Sequence, residues 1–211
     1  MARNYRDEFE TGSIYHVYNK VVSGETLFNN EEDYTNFLKR YSKYFSPYFE
    51  TFAYCLIPNH FHFLVRVKDN VDSFIENENT NAAKKFLNEE EPLNSFLEHQ
   101  LSRMLSGVAI KYNNLNNRVG PLFKQGTKRV SLMTESRIIY QLCYIHHNPI
   151  HHKLTSEYKD WKFSSYHAYT SERPTQISKG PILDLIGGID VFHALHKDFK
   201  LESDENLFDE G

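Results

Sequence analysis

Three features of the sequence predict an α+β fold. Residues 51–68 form a largely apolar run that holds a His-Phe-His triplet and is broken at Pro58-Asn59, and residues 14–22 are rich in aromatic and β-branched side chains. Between and after these runs, apolar residues recur at helical spacing. The resulting order is strand, helix, strand, strand, followed by helices and one further short strand.

Residues 14–22, Ile-Tyr-His-Val-Tyr-Asn-Lys-Val-Val, read as the first strand. After a turn at Ser23-Gly24, Asn30 can cap a helix over 31–45, where Tyr34, Phe37, Leu38, Tyr41 and Phe45 make a core-facing stripe. Pro47 ends that helix and a strand follows over 49–57. Proline lacks a ladder donor and restrains the residue before it, so Pro58-Asn59 separates this strand from another that starts at His60. Residues 69–90 are rich in Asn and Glu and read as a surface excursion with a short helix over 81–87. From 92 to 112, Leu93, Phe96, Leu97, Leu101, Met104, Leu105, Val108 and Ile110 recur every three or four residues, which predicts a long amphipathic helix despite Gly107. Gly126 predicts a bend before a basic strand over 128–132. Thr134 starts a helix from Glu135 that Pro149 is expected to end near Asn148. An aromatic segment over 160–169 follows, then a helical region over 182–195 interrupted by Gly187-Gly188. The expected organisation is one domain over 1–170 with a C-terminal extension over 171–211, whose acidic end, 202–211, is expected to be mobile.

The 211 residues, 40% hydrophobic and 15% aromatic, suit one well-buried core. No run of about 18 apolar residues could span a bilayer and no signal-type stretch opens the chain, so a cytoplasmic protein with no membrane partner is expected. Cys55 and Cys143 sit in apolar segments, outside metal-type spacing, and read as small core residues. The net charge of -4 makes no global case for nucleic acid, but it is unevenly distributed. Between His99 and Met133 stand Arg103, Lys111, Arg118, Lys124, Lys128 and Arg129 with no Asp or Glu, whereas residues 69–98 carry eight acids against Lys84 and Lys85. Such a basic stretch in a chain richer in acids calls for a phosphate-bearing partner.

Side chains alternate along a strand, so His60, His62, Leu64 and Arg66 share one face and Phe61, Phe63, Val65 and Val67 the other. Two imidazoles stand side by side in front of a hydrophobic layer, an arrangement that can hold a metal ion. On the helix before Pro149, Tyr140, Tyr144 and Asn148 lie four apart and so nearly on one face. Tyrosine is a weak nucleophile at neutral pH because its pKa is about 10, but a metal that polarises the electrophile makes covalent attack feasible. An amide oxygen one turn beyond the tyrosine could be a third ligand. That spacing favours Tyr144, because the fourth residue after Tyr140 is another tyrosine.

These motifs resemble the single-tyrosine transposases of the HUH endonuclease superfamily, especially the group that includes REP-associated tyrosine transposases. The matching pieces are Tyr15-His16-Val17 with Asn19; Leu27-Phe28, then Glu32-Asp33-Tyr34 and Phe37; Ile57-Pro58-Asn59-His60-Phe61-His62; Tyr144-Ile145-His146 with Asn148-Pro149; and Trp161 with Ser164-Ser165-Tyr166. The resemblance implies a ferredoxin-like antiparallel β-sheet packed against α-helices, binding of single-stranded or hairpin DNA, and cleavage that leaves a 5′-phosphotyrosine. It makes His60 and His62 metal ligands, Tyr144 the nucleophile and Asn148 the third ligand; many insertion-sequence relatives carry Gln at that last position. The cofactor would be Mg2+ or Mn2+, the latter better suited to imidazole. The basic residues would hold the DNA backbone, and the protein would act as a monomer or homodimer.

Two other classes stay open at this stage: a nucleic-acid-binding module that keeps the fold without cleaving, and a hydrolase in which a metal activates water and Tyr144 is structural. His146, His147, His151 and His152 make a denser cluster, but Pro149 is expected to break its helical geometry. We therefore read them as facing solvent or the DNA backbone. Trp161 and Tyr166 read as packing residues, and Tyr15, His16 and Tyr18 as core or ladder residues.

Overall fold

In the computed structural model, residues 5–201 are described; the acidic end expected over 202–211 lies outside them. Four strands form one sheet: β1 (Ile14–Lys20), β2 (Phe49–Ile57), β3 (His60–Val67) and β4 (Lys128–Ser131). The sheet order is β2-β3-β1-β4 and all three pairings are antiparallel. This is the strand order of a ferredoxin-like sheet, and the fold is α+β.

Helix α1 (Glu31–Tyr44) begins where expected: the Asn30 side chain accepts from the Asp33 backbone N–H at 3.1 Å, and three acids occupy the first turn. The acidic excursion holds α2 (Val71–Ile75) and α3 (Asn81–Leu87), and α4 (Leu93–Leu115) is the long amphipathic helix. Its Phe96, Leu97, Leu101, Met104 and Leu105 join Phe37 and Tyr41 of α1 over one sheet face, which presents Tyr15, Val17, Phe61, Phe63, Val65 and Val67.

The other face is covered by α5 (Glu135–His151) with Ile138, Leu142 and Ile145, over Tyr18, Cys55, Leu64 and Val130. After the short α6 (Tyr166–Tyr169), α7 (Lys179–Ile186) and α8 (Ile189–Asp198) are separated by Gly187-Gly188, and they add Ile182 and Phe192 to this second core. Alternation along β3 thus sends its phenylalanines into one core and its histidines toward α5. Cys55 and Cys143 are free and buried, as expected of core residues.

Pro149 does not end α5. The helix continues to His151, with Asn148 C=O accepting from the His152 N–H at 3.0 Å. A proline in the last turn removes only one intrahelical bond, so the helix carries on and brings His152 within 4.8 Å, ring to ring, of His60. The outer edge of β2 is also capped: Leu56 N–H donates to Phe163 C=O, Ser165 N–H to Tyr54 C=O, and the Trp161 indole to Leu56 C=O. The tryptophan segment therefore closes an edge that would otherwise be open to pairing.

Candidate active site

His60 and His62 project from β3 toward α5 with ring centroids 5.0 Å apart and planes at 81°. In the register of β1 with β3, Tyr18 stands opposite His62 and Lys20 opposite His60. His16 falls on the same face and puts its Nε2 2.8 Å from His62 Nδ1. The His16, Tyr18 and His62 rings are nearly parallel, with centroids 4.5 to 5.6 Å apart.

Helix α5 lays Tyr144, 2% exposed, edge-on against His62 at 5.7 Å and His16 at 6.1 Å, within one chain. One turn later Asn148, 1% exposed, places its Oδ1 3.0 Å from His60 Nε2. The shorter asparagine therefore reaches the histidine without the extra methylene of glutamine. The other nitrogen of His60 lies 2.8 Å from Asn59 Oδ1, and Asn148 Nδ2 is buried with no acceptor among the described residues.

This donor set fits a divalent cation. If Asn59 Oδ1 accepts the His60 Nδ1–H, neutral imidazole keeps a lone pair at Nε2 that faces the Asn148 oxygen, a contact that a cation would make favourable. Neighbouring ligands of an octahedral ion bound at about 2.1 Å are themselves about 3 Å apart. The reverse amide orientation would make the contact a simple hydrogen bond from Nδ2 to Nε2. Among the described residues, no cluster of three His, Cys, Asp or Glu side chains is arranged to hold a metal, so the candidate set is two imidazoles and an amide. Cys55 and Cys143, free and buried, belong to no such cluster among the described residues; burial pushes the Cys143 thiol up to about 12 and that of Cys55 well above its ordinary value.

The six basic residues do not gather in one place. Lys124 and Lys128, with Lys20, line a cavity of about 420 Å3 that also contains His60, His62 and Tyr18. Gly126, at φ 75°, makes the turn between the two lysines, a conformation that favours glycine. Arg129 faces the opposite side of β4, because successive residues alternate. It is 6% exposed, ion-paired with Glu98, bonded from Nε to Asp7 C=O at 2.5 Å, and set over Phe9. Arg118 pairs with Glu25 at 2.6 Å and donates to Pro121 C=O, and Arg103 lies over Tyr44. Lys111 lines a groove between α1 and α4. A larger cavity, about 880 Å3, lies between α1 and the segment around 159–177 and includes neither histidine nor Tyr144.

The histidine cluster differs from expectation. His146 is 1% exposed, with Nδ1 2.8 Å from His196 Nε2 and Nε2 2.8 Å from Ser165 Oγ; it faces neither solvent nor a DNA path. Burial lowers its pKa well below the ordinary value. His147 meets the Tyr158 hydroxyl at 3.0 Å. Sequence reasoning missed the contact of His16 with the site. Its signal was alternation with Tyr18 and Lys20 along β1, which acquires meaning only once the β1–β3 register is known.

The fold and site define an α+β protein whose antiparallel sheet gathers imidazoles, a tyrosine and an amide beneath one helix, beside a lysine-lined cavity. No protein-family model matches the chain. By sequence it is similar to a Haemophilus influenzae protein provisionally named as a REP-associated tyrosine transposase, with 26% identity over 168 residues, 78% of this chain and 85% of that protein. By structure it resembles a REP-associated tyrosine transposase bound to a REP hairpin, with a TM-score of 0.51 and 13% identity over 82% of this chain and 89% of that one. The resemblance carried by the sequence motifs is thus matched by a relative and by a fold.

Proposed function

We propose that the protein is a single-strand DNA endonuclease and strand transferase that acts on hairpin DNA through a covalent phosphotyrosine at Tyr144. The observation that carries this reading is the meeting of Tyr144 and Asn148 on α5 with His62 and His60 on β3, inside one chain. The relatives' transposase name and the hairpin on the structural neighbour point the same way.

Lys20, Lys124 and Lys128 would hold backbone phosphates in the cavity beside the histidines. Tyr144 attacks the scissile phosphorus in line. A bond forms between the tyrosine oxygen and phosphorus, the bond to the 3′ oxygen breaks, and the proton lost by tyrosine is balanced by the one the 3′ hydroxyl gains. The new diester conserves the energy of the old, so a different 3′ hydroxyl can reverse the step on another strand without ATP. A divalent ion, Mg2+ or Mn2+, held by His60, His62 and Asn148 would supply charge stabilisation at the phosphate.

The test incubates labelled hairpin DNA with the full chain and Mg2+ or Mn2+, followed by a denaturing protein gel. A covalent adduct that is absent in Tyr144→Phe supports the reading. Cleavage retained in Tyr144→Phe without any adduct would identify a hydrolase, and binding without cleavage a module that has lost the chemistry.

A further inference from the structure

Helix α5 has a second polar contact, on the side turned away from the site. His146 lies two residues from both Tyr144 and Asn148, about 200° around the helix from each. There it enters an ordered run of hydrogen bonds. Tyr54 N–H of β2 donates to Ser165 Oγ at 2.8 Å, and Ser165 Oγ is 2.8 Å from His146 Nε2. His146 Nδ1 is 2.8 Å from His196 Nε2, and His196 Nδ1 is 2.8 Å from Phe192 C=O.

The run has one direction. A carbonyl only accepts, so His196 Nδ1 carries its proton and its Nε2 accepts from His146 Nδ1–H. His146 Nε2 then accepts from the Ser165 hydroxyl at 2.8 Å, the shorter of that proton's two contacts; the other, Tyr54 C=O at 3.2 Å, already accepts from Ser165 N–H. Ser165, His146 and His196 are all buried, so a broken link between them would leave an unpaired polar group that costs free energy. The apolar stripe of Ile138, Leu142 and Ile145 lacks this directionality and tolerates small rotations of the helix. A hydroxyl standing roughly 8 Å from a helix axis moves about 1.4 Å when the helix turns by about 10°.

We infer that His146, held between Ser165 and His196, is a positioning residue that sets the rotation of α5 and so places Tyr144 and Asn148 over the histidines, a role that rests on the chemistry proposed for those two side chains. The pin ties together three parts of the chain: the β2 edge, the active-site helix and α8. It also accounts for two motifs that the site itself leaves unused, His146 after Tyr144 and Ser164-Ser165 after Trp161.

The test compares full-length wild type with Ser165→Ala, Ser165→Thr, His146→Leu and the double variant His146→Leu/Ser165→Ala. All are checked for folding by circular dichroism and assayed for hairpin-DNA affinity and single-turnover adduct formation. Misplacement by about 1 Å can cost about 100-fold in rate, so Ser165→Ala and His146→Leu should each slow adduct formation at least about tenfold. DNA affinity should stay within about twofold, Ser165→Thr should restore the rate, and the double variant should be no slower than His146→Leu, because both changes break one link. A folded Ser165→Ala with wild-type rate, losses that multiply, or affinity falling in step with rate would each overturn the pin. Should His146→Leu fail to fold, the two Ser165 variants decide. Should the wild type form no adduct, the transposase reading itself fails. Amide hydrogen exchange over residues 140–150 then decides the pin, which predicts exchange faster by at least about tenfold in Ser165→Ala and not in β3; unchanged exchange would overturn it.

Discussion

His16 Nε2 lies 2.8 Å from His62 Nδ1, so one nitrogen of His62 is held by a neighbour on β1 and Nε2 is the atom that would meet a metal. Such contacts orient metal-ligating histidines, and removing them typically costs about 10- to 100-fold in metal affinity. His16→Ala should weaken Mn2+ binding, followed by electron paramagnetic resonance, by roughly that factor, and His16→Asn should recover part of the loss. Equal affinity in His16→Ala would remove His16 from the site.

The parts of the fold legible in the sequence are those with local causes. The strand break at Pro58-Asn59, the Asn30 cap and the alternation of β3 each depend on a few neighbouring residues, and their elements fall where expected. The gathering of His60, His62, Tyr144 and Asn148 came from motif resemblance together with spacing. What was not legible depends on distant partners. Burial of His146 requires His196, 50 residues later, and the pairing of Arg129 requires Glu98. Pro149 inside α5 shows the limit of a local rule, because a lost donor in a last turn costs one bond rather than the helix.

His196 predicts an acid-sensitive fold. Burial, opposed by its bond to Phe192 C=O, lowers its pKa to about 4, against about 6.5 in an unfolded chain. Between those values the unfolded chain binds the proton first, so stability is complete above about pH 6.5 and falls as pH drops toward 4. His193 and His147 face the same ring and disfavour its charge further. Urea unfolding at pH 7, 6 and 5 should show stability falling by up to about 1.4 kcal/mol per pH unit from this group, and His196→Asn should shrink that slope by about one proton. An identical slope in the variant would contradict the assignment.

Gly107 should reverse the usual benefit of alanine within a helix. A Cβ there would stand 1.8 Å from Arg40 Nη2, and Arg40 donates to Met104 C=O at 3.1 Å and Arg103 C=O at 3.0 Å while lying over Tyr44. Gly107→Ala gains about 1 kcal/mol of helix propensity but displaces the guanidinium from two carbonyls, so a net loss of about 1 kcal/mol is expected. In an Arg40→Ala background the same change should stabilise by about 1 kcal/mol. Thermal or chemical melts of the four proteins read the sign directly, and a Gly107→Ala that stabilises the wild type would show that the arginine yields without cost.

Neighbouring residues of β4 should behave oppositely. Arg129, buried and paired with Glu98, belongs to the packing beneath the sheet, whereas Lys128 and Lys124 line the cavity with the histidines. Arg129 is buried while Glu98 keeps water, so Arg129→Ala leaves no buried charge behind but removes the bond to Asp7 C=O and the packing over Phe9, a loss of roughly 2 kcal/mol of stability. Lys124→Ala and Lys128→Ala should leave stability within about 0.5 kcal/mol but weaken single-stranded DNA binding. Taking one lysine away from a backbone phosphate should reduce the slope of log affinity against log salt by about 0.7. Titrations at several salt concentrations, paired with urea melts, separate the two roles: an unchanged salt slope in both lysine variants would place the DNA path away from this cavity, and an unaltered melt in Arg129→Ala would deny it a structural part.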